Sequence, residues 1–213
     1  MPLPMVHLAV VVRVHELENC IPDEAFLLGS IAPDAVHMRQ GAEPSDKITV
    51  HLAEPAELRY ERARELLVKS QSDHCGTMRF SSGYIAHLLT DYLWRDNVLE
   101  PFHKKLSRKF SFDERRRLYY QETDQIDFDL YHQIPWRTNV WLKLSVSQPK
   151  DFCSLLTAQE IGKWRDRVLI WFEEIKPEPK IKPIYITYAE TLHFIDQASA
   201  AISEIFKEWK VSL

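Results

Sequence analysis

The pair with the clearest chemistry is His87 and Asp91, in the run Gly83-Tyr84-Ile85-Ala86-His87-Leu88-Leu89-Thr90-Asp91. On a helix, residues four apart leave the same face one turn from each other. An imidazole and a carboxylate so placed can share one divalent ion, or simply hydrogen-bond to each other. Their neighbours Ile85, Leu88 and Leu89 are apolar, which predicts a buried helix. A buried aspartate is costly unless it is paired or coordinated. Three further segments offer ligand chemistry. In Phe26 to His37 an apolar helix stops at Pro33 and leaves Asp34 just beyond its end, with His37 three residues on and able to reach a phosphate or a metal. His51 lies in a loop ahead of an amphipathic helix, and His7 lies among Met5, Val6, Leu8 and Val10 in the first helix. Taken singly, these also read as a turn aspartate, a surface histidine, a loop histidine and a core histidine. The chain holds nine histidines, a surplus that asks for an explanation.

Other polar groups carry less. Glu190 and His193 have the E-x-x-H spacing of carboxylate-bridged di-iron bundles, but no second copy of the motif exists, so they read as a solvated pair. His132 beside Asp127 and Asp129 reads as a local ion cluster. Lys104 to Arg117 is a basic run, read as a solvated face that can also steer a phosphorylated substrate. Tyr119, Tyr120, Trp136 and Trp141 read as packing residues. Cys20, Cys75 and Cys153 are odd in number, far apart and without C-x-x-C spacing, so they read as buried reduced thiols of a cytosolic protein.

The elements that must position these groups are helical. Five glycines in 213 residues and long helical periods point to an all-α, single-domain bundle over residues 1–213, with a metal site between helices. Pro4 suits a first helical turn, so a helix over His7 to Glu16 can follow, then a short one over Ala25 to Ile31. Residues from Pro33 to about Pro55 read as loop, with Gly41, Pro44 and Asp46 as turn residues. Glu57 to Ser70 is amphipathic, and Ser81 or Ser82 is the expected cap of a helix running toward Lys105. Ser111 with Glu114 and Thr157 with Glu160 are capping boxes that start helices near 112–133 and 158–175. Ile134 to Gln148 alternates in polarity and reads as a small hairpin or ordered loop. Lys176 to Ile186, with three prolines, reads as a stiff connection before a last helix at about 188–210.

Composition narrows the class. Hydrophobic residues are 45% and charged residues 27%, which excludes disordered and collagen-like chains. No apolar run approaches the ~20 residues that span a bilayer. A net charge of −4 argues against stable nucleic-acid binding, which rests on basic patches. It leaves room for a phosphate ester held by metal ions, which would supply the positive charge. The first residues lack the basic region and small-residue cleavage site of a signal peptide, so the expected location is cytoplasmic.

Met5-Val6-His7, the run Leu28-Gly29-Ser30-Ile31-Ala32-Pro33-Asp34, His51, and Gly83-Tyr84 with His87 and Asp91 resemble, in that order, zinc-dependent phospholipase C and its relatives, the fungal single-strand-specific nucleases. The resemblance covers about residues 5–95. It implies an all-α fold with zinc in a cleft between helices. His51, His87 and Asp91 would hold one ion, and His7 a second with Asp91 bridging. Asp34 would touch the metals and act as general base toward water. Two ions roughly 3.5–4 Å apart would bind a phosphodiester oxygen and lower the pKa of a water, and they would neutralise charge as it develops. The secreted relatives use an N-terminal tryptophan amine as a ligand, where this chain has Met1-Pro2. For a third ion the chain offers Asn97 and His103, then His193 followed by Asp196 and Gln197, so one or two ions are expected. Zinc suits N/O ligands, and iron, manganese or nickel could take the same set. The function implied is a metal-dependent phosphoesterase: zinc-activated water would hydrolyse a phosphodiester, in a phospholipid head group or a small phosphorylated substrate. The alternatives are an inactive metal-binding module of the same fold and a metal-free helical interaction protein.

Overall fold

The computed structural model describes residues 3–53, 55–72, 75–211 and 213; Met1 and Pro2 lie outside them. The fold is all-α, and the described residues contain no β-strand beyond a single bridge between Phe152 and Leu156. Helix α1 (Pro4–Leu17) begins with proline in its first turn and is apolar nearly all round, so it is buried on almost every face. Its entry is held from a distance: the Met5 N–H donates to the buried Asp127 carboxylate at 2.9 Å. Helix α2 (Glu24–Ile31) is capped by Asp23, which accepts the Phe26 N–H at 2.8 Å. It lies against α5 (Met78–Trp94), which is as deeply buried as α1. The long α7 (Phe112–Gln133) and α10 (Tyr188–Glu208) pack on the other side of α1, and one continuous apolar core joins them. Among the described residues, no helix is long and apolar enough to cross a membrane.

Several expectations need correction. Pro33 does not open a loop. It sits in the first turn of a 3-10 segment (Ala32–Met38), where its missing N–H costs nothing, and α3 (Pro44–Val50) follows with Pro44 likewise first. Local turn residues hid both short elements. Thr77, not Ser81 or Ser82, caps α5; it accepts the Phe80 N–H, while both serines bond back into the helix. Residues 134–148 form no hairpin: Arg137–Val146 is a helix, α8, which buries Val140 and Leu144. Its alternating look came from a helix with only a narrow buried stripe.

Both forecast capping boxes are present, at the start of α7 and of α9 (Ala158–Ile170). A third, Thr187 with Glu190, starts α10 and gives Glu190 a structural task. The amphipathic segment is α4 (Arg59–Ser72), and α5 passes through a π-helical turn (Arg95–Leu99) into α6 (Glu100–Leu106). His132 is exposed and rests on Phe128 and Tyr131, while Asp129 accepts from Gln125 and Asp127 turns to α1; the expected ion cluster does not form. Tyr120 is 47% exposed and is no core residue.

The reduced-thiol reading also fails. Cys75 and Cys153 are disulfide-bonded, and Cys20 alone is free. A separation of 78 residues gives no sequence signal for such a pair. The bond joins the turn just before α5 to the turn that leads into α9.

Candidate metal centre

The α2–α5 crossing builds the first wall of the site. At Gly29 an added Cβ would lie 2.1 Å from the Phe80 carbonyl oxygen, and at Gly83 it would lie 2.1 Å from that of Phe26. Only hydrogen on both Cα atoms lets the two backbones approach this closely. The approach brings the Ser30 carbonyl to His87, whose Nδ1–H donates to it at 2.8 Å. With Nδ1 so engaged, His87 Nε2 is left as a free lone pair facing inward.

His51 is set in a similar way. It closes the C-terminal end of α3, where its Nδ1 meets the Lys47 carbonyl at 3.0 Å. Two tyrosines of α5 fasten that end. Tyr84 donates to the Val50 carbonyl at 2.7 Å and Tyr92 to the His51 carbonyl at 3.0 Å. One helix therefore supplies His87 and Asp91 directly and holds His51 through its phenols. His7 comes from α1 and stacks on His87, ring centroids 3.7 Å apart and planes 4° from parallel.

The ligand atoms converge. Asp91 Oδ1 lies 3.5 Å from His7 Nε2, and Asp91 Oδ2 lies 3.6 Å from His87 Nε2 and 3.7 Å from His51 Nε2. Asp34 Oδ1 is 3.4 Å from His51 Nε2. Two groups of three result, His51–His87–Asp91 and His7–Asp34–His87, each with donor atoms within 4.8 Å of one another. The structure thus brings together all five residues expected as ligands, and it places Asp34 among the donors rather than behind them. His103, His132 and His193 join neither group. His193 instead lines a separate cleft of about 500 Å³ with Asn97 and Lys105.

Burial makes this cluster costly as protein alone. His7, His51, His87 and Asp91 are at most 4% exposed, yet both nitrogens of His7, Nε2 of His51 and of His87, and both Asp91 oxygens lack hydrogen bonds. Each such orphan costs roughly 1–3 kcal/mol. A divalent cation is the species that satisfies three imidazole lone pairs and a carboxylate at once, so the residues present fit a metal. Electrostatics agrees. Burial, then the neighbouring His87, holds the His7 imidazole well below its usual range, and burial also lowers His87 against the pull of Asp91. Both are neutral, the form that binds metal. Burial raises the Asp91 carboxyl to about 6. Burial pushes Asp34 upward too, but His51, His87 and Lys47 outweigh it and keep that carboxyl well below its usual range.

Asp34 also marks the way in. Its side chain, 11% exposed, lines a cleft of about 480 Å³. His37 Nε2 and Lys47 Nζ are each 3.8 Å from Asp34 Oδ1 and 3.1 Å from one another. His37 is half exposed and belongs to the cleft, outside both ligand groups. Trp164 and Arg167 of α9 and Trp171 form one of its walls. Arg39 ties α9 to α3: it donates to Glu160 of α9, to Asp46 of α3 and to the Leu155 carbonyl, at 2.7, 2.8 and 2.7 Å. The sequence reading gave no role to Lys47, Arg167 or Tyr92, and quoted Tyr84 only as part of the motif around His87. Only the tyrosines, on the same helix as His87 and Asp91, left a signal that could have been followed.

No family model, curated protein or solved structure matches this chain.

Proposed function

We propose that this chain is a metal-dependent phosphoesterase that hydrolyses a phosphodiester, in a phospholipid head group or a small phosphorylated substrate, with one or two zinc ions held by His7, Asp34, His51, His87 and Asp91. The observation that carries this reading is the set of six buried, unpartnered ligand atoms on three histidines and Asp91, next to Asp34, which lines a cleft. Iron, manganese or nickel would meet the same donors. A divalent ion bound there supplies Lewis-acid polarisation of a phosphoryl oxygen and a lower pKa for water.

The chain's own residues do the rest. Asp34 is the one carboxylate of the cluster that reaches the cleft, and it stays ionised, so it can accept the proton of an attacking water. The water oxygen bonds to phosphorus as the bond from phosphorus to the leaving oxygen breaks, and that oxygen takes a proton from solvent. His51 and His87 are held by backbone carbonyls, which fixes their direction before substrate arrives. The Cys75–Cys153 disulfide supports an oxidising compartment in place of the expected cytoplasm.

Elemental analysis of protein purified without a histidine tag or chelator, joined to an assay on bis-p-nitrophenyl phosphate with added zinc or manganese, tests the reading. One to two equivalents of metal with metal-dependent turnover are expected. Metal without turnover on any phosphoester would leave a binding module, and no metal would leave a helical interaction protein.

A further inference from the structure

The cleft in front of the cluster has a charge pattern that the hydrolytic reading does not use. Arg167 lines it, half buried, with its guanidinium over the Trp171 ring at 5.0 Å from the centroid. Stacking occupies the face of a guanidinium and leaves its N–H donors in the plane. Arg167 makes no hydrogen bond or ion pair to any described residue, so those donors are open. Lys47 stands beside His37, and its nearest carboxylate oxygen is that of Asp34 at 3.8 Å. Trp164 and Tyr120 complete the wall with flat apolar surface. In a chain of net charge −4, this cleft is lined by two cations and one carboxylate.

The two cations stand in different settings: Lys47 is beside Asp34, whereas Arg167 is held over Trp171 and forms no ion pair with Asp34. Lys47 lies 3.8 Å from Asp34, itself a candidate metal ligand, and so beside the place of the scissile phosphate. Arg167, pre-oriented by Trp171 and away from Asp34, suits whatever the phosphate carries. We infer that the cleft is built for phosphate esters bearing a second anionic group, a carboxylate or another phosphate, which Arg167 receives edge-on while Lys47 receives the phosphate itself. A substrate with a cationic group in that position would meet Arg167 unfavourably. This inference rests on the phosphoester reading and narrows its substrate class.

Calorimetric titration of the zinc-loaded protein tests it without turnover, using three probes with one phosphate each: methyl phosphate, 3-phosphoglycerate and phosphocholine. The expected result is 3-phosphoglycerate at least tenfold tighter than methyl phosphate, and phosphocholine weaker than both. Arg167→Met, which keeps the packing on Trp171, should erase the preference and leave methyl phosphate unchanged. Arg167→Lys should restore part of it. Lys47→Met should weaken all three probes alike. Equal binding of the three probes, tightest binding of phosphocholine, or an unchanged preference in Arg167→Met would overturn the inference while leaving the phosphoester reading intact. If the parent protein, loaded with metal, binds none of the probes, the phosphoester reading falls and the inference falls with it.

Discussion

Gly29 and Gly83 are reciprocal contacts: each lies against the backbone of the helix that carries the other, and a methyl group on either would press to 2.1 Å from a carbonyl oxygen. Backbone cannot yield as a side-chain tip can, so α2 and α5 would have to separate. Gly83→Ala should therefore destabilise the fold by about 3 kcal/mol, at the upper end for overpacking. Because the same approach delivers the Ser30 carbonyl to His87, metal content should fall as well. Thermal melting and elemental analysis of one preparation check both. A variant with parent stability would show that the crossing is looser than described.

A second expectation concerns the ion. Removing it leaves the orphaned atoms of His7, His51, His87 and Asp91 buried and unsatisfied. Chelation should lower the melting temperature, since a ligand at a hundred times its Kd adds about 2.7 kcal/mol. His87→Ala or Asp91→Ala should cost at least one equivalent of metal without unfolding the chain. His103→Ala, His132→Ala and His193→Ala should keep the parent content, because none of these residues joins a ligand group. Full occupancy in the first two variants would place the site elsewhere.

How much of this arrangement the sequence disclosed follows from where the information lies. His87 and Asp91 share one helix, so a four-residue spacing was enough to pair them. His7, Asp34 and His51 come from three other elements, and chain order within a family resemblance, not spacing, put them beside the pair. Lys47 and Arg167 sit 120 positions apart, and nothing local joins them. The 3-10 segment after Ile31 and helix α3 were hidden by prolines that begin helical turns as readily as they break them. The glycine crossing was hidden because a glycine inside a helix gives no hint of what approaches it.

Acid should release the metal. His7 and His87 titrate below their ordinary value, so they are neutral and ready for metal at pH 7, while the Asp91 carboxyl takes a proton at about 6. As pH falls through 6, protons compete first at Asp91. For the metal-free fold the signs oppose. The lowered histidine values mean that the unfolded chain binds more protons below about 6.5, so their contribution is lost as pH falls. The raised Asp91 value means that the folded chain binds more between about 4 and 6, which partly offsets that loss. Two histidines against one carboxyl leave a net fall in stability from pH 6.5 to 5. Dialysis at pH 7.5 and at pH 5, followed by metal analysis and denaturant melts, measures both effects. Retention of the full metal content at pH 5 would show that protonation of Asp91 does not govern metal release.

The disulfide gives a simpler count. Native protein should present one titratable thiol, Cys20, and reduced, unfolded protein three. Closing a loop between positions 78 residues apart contributes typically 2–4 kcal/mol. Replacing Cys75 and Cys153 by serine should lower the melting temperature by roughly 4–16 °C in a chain of this size. Three thiols in the native protein would show that the bond does not form.

The last expectation separates the two tasks open to Asp34. It lies in a ligand group with His7 and His87, yet it is also the carboxylate of the cluster nearest the cleft, 3.8 Å from Lys47. Asp34→Asn keeps the size of the side chain and one ligating oxygen but loses the ability to take a proton. If Asp34 works mainly as the base toward water, turnover of bis-p-nitrophenyl phosphate should fall by about 10²–10⁴-fold while metal content holds. If it is chiefly a ligand, metal and turnover should fall together, and excess zinc should restore part of the turnover. Lys47→Met is the control, since it removes the neighbouring charge without touching the carboxylate: it should weaken substrate binding and leave metal content unchanged. Unchanged turnover in Asp34→Asn would remove Asp34 from the mechanism and leave the attacking water to be oriented by the metal ligands alone.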